Sequence, residues 1–147
     1  MTSLYVWLKF IHVVGLGAFL FGHGISGGVA LVLKSKPAFD TSRALLMLSV
    51  WSYRITYPGL VLLLVTGVWM GFAGSWWRTG WIWASIAVLV VLVAAMSFFS
   101  MRYHRAREAK ADPELTEQLE RTRPVLTAAV GTIGLLILYF LMVFKPF

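Results

Sequence analysis

The sequence predicts an all-α, polytopic membrane protein built as one four-transmembrane-helix bundle. Three observations carry this. Four apolar stretches, at about 4–33, 44–72, 81–103 and 124–144, each reach the ~20 residues a helix needs to cross a hydrocarbon core about 30 Å thick. Of 147 residues, 59% are hydrophobic and 13% charged, too little polar surface for a soluble domain of this length. The short alternating segments of a membrane barrel are absent, which leaves helices as the spanning elements.

The first span is long enough to extend ~45 Å, so it must tilt or protrude. It carries Gly15, Gly17, Gly22, Gly24, Gly27 and Gly28, small residues that let a backbone or a flat ligand approach closely. It lacks the basic start of a signal peptide, and its apolar run is too long for one. The link that follows contains Pro37, and Asp40 is a candidate N-cap. Residues 44–53 read either as the inner part of the second span or as a separate interfacial helix. Pro58 and Gly59 predict a kink in the second span.

Trp76, Trp77, Trp81 and Trp83 surround the short turn before the third span and read as an interfacial aromatic belt. The third span is mostly Val, Leu, Ala and Ile. The polar loop at 104–123 holds Glu108, Asp112, Glu114, Glu117 and Glu120, and its Asp–Pro–Glu–Leu run predicts a short helix starting near Pro113. The fourth span opens at Pro124, and its Gly131 and Gly134 suit close packing.

The net charge of +7 is a topology signal, so a nucleic-acid partner is not expected. Lys34, Lys36 and Arg43 lie in the first loop. Arg102, Arg105, Arg107, Lys110, Arg121 and Arg123 lie in the third, on the same side. Only Lys9, Arg78 and Lys145 belong to the opposite side. The positive-inside rule then puts both termini outside and both basic loops in the cytoplasm, facing anionic lipid. Cysteine is absent, which excludes disulfides, thiolate metal sites, iron–sulfur clusters and a Cys nucleophile. No phosphate-binding loop, dinucleotide fingerprint or zinc spacing occurs. Asp and Glu are confined to the loops on the basic side, so no intramembrane carboxylate supports an ion path.

The candidate site residues are His12, His23, Arg54 and Tyr57. His12 and His23 differ by about 20° around the helix axis and ~16 Å along it, so they share one stripe of the first span. Ionisable groups at membrane depth usually line a site or a polar interior. One reading is axial ligation of b-type heme, with His12 as the metal ligand. Another is a proton relay. The plainest is a hydrogen bond between helices from a neutral imidazole.

Two ligands of one heme iron must meet at one depth, and His104 lies ~15 Å further along than His23, so no histidine pair suits one iron. His104, among Arg102, Arg105 and Arg107, reads as an interfacial, solvated residue. Met70 sits near the level of His12 and is either a sixth ligand or simple packing. Arg54 lies at the depth of His23 if the second helix begins near Ala44, where it would pair an anionic group such as a heme propionate. If that helix begins at Arg54, the guanidinium snorkels to phosphate. Tyr57, one turn away, can hydrogen-bond in either case.

The run Leu8–Lys9–Phe10–Ile11–His12 followed by Gly15, Gly17 and Gly22 resembles the first helix of CopD-like and HemJ-type membrane proteins. Arg54–Ile55–Thr56–Tyr57–Pro58–Gly59, then Thr66–Gly67, and the Trp-rich turn continue the likeness. More specifically, the chain resembles an uncharacterised family of predicted bacterial integral membrane proteins of this size. The resemblance implies a bacterial cytoplasmic (inner) membrane location. For HemJ-type proteins it implies b-type heme held by the residue matching His12, and protoporphyrinogen oxidase activity that needs a lysine near the start of the third helix. Ser85 stands at that position and the third span has no lysine, a departure that argues against that activity. For CopD-like proteins it implies copper uptake, yet no dense Met/His cluster is present.

The sequence thus points to an integral membrane protein binding b-type heme through a first-helix histidine in a redox role. The alternative is a cofactor-free membrane subunit or small transporter, lipid- or copper-related. Membrane lipids are expected partners, and the scarcity of polar surface favours a homo-oligomer or a larger membrane complex.

Overall fold

Two antiparallel helix pairs make up the bundle. The computed structural model describes residues 2–109 and 112–146. Its elements are α1 (Thr2–Leu33), α2 (Phe39–Ala73), a single 3-10 turn (Trp76–Arg78), α3 (Gly80–Glu108), α4 (Asp112–Glu120) and α5 (Pro124–Phe144). Helices α1, α2, α3 and α5 are each long and apolar enough to cross a membrane. Large apolar side chains such as Phe72, Val91 and Leu136 point outward, as lipid-facing side chains must.

The α1–α2 pair is the closest, and glycine is the reason. A Cβ on Gly59 would fall 2.6 Å from the Phe19 backbone nitrogen, and one on Gly22 would fall 2.8 Å from the Ser52 carbonyl oxygen. Without a hydrophobic drive between helices in lipid, such backbone-to-backbone approach supplies the dispersion contact that holds a pair. Ser52 Oγ donates to the Ser49 carbonyl at 2.7 Å, so it accepts from Ser26 Oγ at 2.6 Å and ties α1 to α2. Residues 44–53 are not a separate helix: α2 runs unbroken from Phe39 and continues through Pro58. Proline there removes one donor, and the remaining ladder carries the helix past it.

The second pair is α3 with α5. A Cβ on Gly134 would lie 2.6 Å from Leu92 Cδ1, so that glycine makes room for the leucine. Helix α3 reaches Glu108, several residues past its apolar segment, into what the sequence reads as loop. Pro124 starts α5 at a position where a missing N–H costs nothing.

Each end of the bundle has its own closure. At the basic end, Val29, Leu33, Leu46, Ala106, Ala109 and Leu115 form the buried cluster, with Leu119 and Tyr103 packed against it. The short amphipathic helix α4 covers this end, and Lys36 Nζ meets Glu120 Oε1 at 2.6 Å above it. Arg107 Nη2 donates to Ser49 Oγ at 2.8 Å and to Tyr53 Oη at 3.1 Å, which links α3 to α2. At the opposite end, Ser75 takes a left-handed φ of 56° and turns the chain out of α2. Trp76 and Trp77 then fold back over Gly74 and Gly71, where any Cβ would crowd the indoles.

Candidate functional site

His12 lies on α1 where it meets the C-terminal half of α2. Its Nδ1 is 2.8 Å from Thr66 Oγ1. The Thr66 hydroxyl has one hydrogen, and it donates that to the Leu62 carbonyl 2.6 Å away. Thr66 Oγ1 must therefore accept from His12, which places the imidazole proton on Nδ1. Nε2 is left as an unprotonated lone pair, the form in which histidine ligates metals or accepts a proton. Gly67 lies flat against the ring, its absent Cβ position 3.3 Å from His12 Cε1. Thr66 is buried, so this bond is shielded from water.

His23 lies on the same stripe of α1 but meets different helices. Its ring stacks on Phe19 at 5.8 Å and 11°. A Cβ on Gly131 would come 2.9 Å from His23 Nε2 and 3.4 Å from Met96 Cε. The imidazole is thus seated on α5 at a glycine, with a methionine from α3 beside it. The sequence singles out Met70, as a sixth ligand or as simple packing, and not Met96. Met96 carries no local signal, and only the packing of α3 on α5 brings it to His23.

Arg54 lies level with Gly22 and His23, since Gly22 faces Ser52 and Thr56. Its side chain turns the other way. The guanidinium is exposed and rests 4.2 Å from the Trp51 ring centroid. Tyr57 is 61% exposed, and its ring lies tilted against that of Tyr53 at 5.7 Å. These two residues are not brought together with His12 or His23.

Ser85 is buried and donates to the Trp81 carbonyl at 2.8 Å, within its own helix. His104 is exposed at the basic end, stacked against Tyr53 at 6.5 Å, with Arg107 Nη1 3.4 Å from its Nδ1. Among the described residues, no group of three or more His, Cys, Asp or Glu converges as a metal cluster. What the site offers is two separate imidazoles within the spanning helices, one of them hydrogen-bonded through Nδ1 to Thr66.

No curated protein and no solved structure matches the chain. A family model, described as a predicted integral membrane protein (DUF2269), matches residues 6–146. The chain therefore belongs to the DUF2269 family of predicted integral membrane proteins.

Proposed function

We propose that His12 would hold b-type heme, in a redox role within the membrane. One observation carries this reading: Thr66 accepts the Nδ1 proton and so commits the imidazole to the ligating tautomer. A histidine ligand whose other nitrogen donates to a fixed acceptor has the orientation and basicity that metal ligation needs. Bound there, heme would supply one-electron exchange at a potential set by its axial ligand and the polarity around it. The residues fit in part. His12 has a ring nitrogen suited to ligation, and Gly67 packs against one side of its ring. Arg54 and Tyr57 face outward and do not suit the propionates. His23 sits too far along α1 to serve the same iron and is assigned a seating role against Gly131.

The further proposals follow charge and composition. The basic loops lie on the cytoplasmic side of a bacterial inner membrane, both termini lie outside, and anionic lipids gather at the basic end.

A second reading has its own support. The His12–Thr66 bond joins α1 to α2 without any cofactor, so a cofactor-free subunit or small transporter would also need it. Heme-to-protein stoichiometry in purified wild type and His12→Ala separates the two. Near one heme per chain, lost in His12→Ala and kept in His104→Ala, supports ligation. No heme in a folded, heme-replete preparation supports the cofactor-free subunit.

A further inference from the structure

The tryptophan-rich end carries an arrangement of rings and a cation that heme ligation does not use. Trp76 and Trp81 meet at 5.5 Å and 57°, forming a V-shaped notch. Tyr5 of α1 closes one side, edge-on to Trp76 at 6.0 Å. Lys145, just past α5, places its ammonium 4.1 Å from the Trp76 ring centroid and 5.5 Å from that of Trp81. Trp81 is only 5% exposed, so the notch wall is fixed.

The charge balance at this end is unusual. All six side-chain carboxylates, Asp40, Glu108, Asp112, Glu114, Glu117 and Glu120, belong to the opposite end. Among the described residues, Lys9, Arg78 and Lys145 show no carboxylate partner, and Lys9 too rests over an aromatic ring, that of Tyr5 at 5.1 Å. Aromatic faces are the counter-charge here. The faces of paired aromatic rings attract ammonium groups rather than anions.

We propose that Trp76 and Trp81 form an ammonium-binding notch, that Lys145 fills it as a tethered occupant, and that the ligand it competes with is the ammonium of a zwitterionic phospholipid headgroup. Tryptophans clustered at the end of spanning helices sit at headgroup level, which is the depth of that ammonium. The exchange conserves charge: the lipid amine enters the notch, and the released Lys145, with Lys9 and Arg78 on the same end, faces the lipid phosphate. The notch thus gives the protein a preference for ethanolamine-type lipid on this face and leaves the basic end to anionic lipid.

Native mass spectrometry of the detergent-purified full chain tests this, with titration by phosphatidylethanolamine and, separately, by phosphatidylglycerol of the same acyl chains. Lys145→Gln empties the notch and is expected to tighten phosphatidylethanolamine binding roughly fivefold, with no gain for phosphatidylglycerol. Lys145→Arg keeps a cation in place and should bind as wild type does. Adding Trp81→Leu to Lys145→Gln should abolish the gain, and tetramethylammonium chloride should displace the lipid from Lys145→Gln where sodium chloride does not. Equal phosphatidylethanolamine affinity in Lys145→Gln and Lys145→Arg overturns the proposal, and these two variants leave the aromatic packing untouched. An equal gain for both lipids, or displacement by inorganic phosphate but not by tetramethylammonium, overturns it as well.

Discussion

At the residue scale, the decisive atom is His12 Nε2. A hydroxyl that donates to its own helix carbonyl can only accept from the imidazole, so Thr66 sets which nitrogen is free. Thr66→Val removes the acceptor and keeps the shape. It should lower stability by about 0.6 kcal/mol, the average for hydrogen bonds between membrane helices, and by no more than about 2 kcal/mol. Unfolding in mixed micelles reads that loss, and heme retention should fall with it. Ser85→Ala, whose hydroxyl bonds only within its own helix, should change neither.

The histidine stripe was legible in the sequence because helical geometry alone aligns positions 12 and 23. Their partners were not. Thr66, Met96 and Gly131 become neighbours only through the register of α1 on α2 and of α5 on α3, which no local pattern encodes. Arg54 was ambiguous because depth and direction are separate facts. Counting along the helix gives depth, and only the packed pair shows that its side chain faces away.

At the element scale, the α1–α2 pair depends on glycines that differ sharply in their surroundings. Gly59 abuts the α1 backbone, whereas Gly24 has no atom within 4 Å of its would-be Cβ. Gly59→Ala should force the helices apart and cost about 1–3 kcal/mol, the usual cost of overpacking. Gly24→Ala should be tolerated or slightly stabilising, since alanine favours the helix. A denaturation series on both variants checks the contrast. Sequence reading found six glycines on α1 but could not rank them, because their value depends on what lies opposite.

Helix α4 offers a second element-scale test. The Lys36 ammonium, by hydrogen bond and charge, holds the Glu120 carboxyl below its ordinary range. A depressed carboxylate contributes above its unfolded pKa and loses that contribution as pH falls through the folded value. Amide exchange in residues 112–120 should therefore be slow near neutral pH and, after correction for intrinsic rates, faster at about pH 3. Lys36→Gln should remove that pH dependence.

At the scale of the whole molecule, two helix pairs meet along sparse contacts. His23 on Gly131 and Arg107 on Ser49 and Tyr53 carry much of the joining. Four apolar segments were plain from composition. The continuity of α2 back to Phe39 and the extension of α3 to Glu108 were not, because both segments carry polar residues that resemble loop. The topology can be probed cleanly, since the natural chain has no cysteine. In intact cells, Ser75→Cys should react with an impermeant maleimide and Ser35→Cys should not. The reverse pattern would invert the orientation.

Heme held through His12 is the proposal on which the redox reading depends. The most direct measurement is the absorption spectrum of the purified, heme-replete wild-type protein, oxidised and then reduced with dithionite. A Soret band that shifts on reduction and is absent from His12→Ala purified in parallel is the expected result. A flat visible spectrum from folded protein, or a Soret band unchanged in folded His12→Ala, would contradict it.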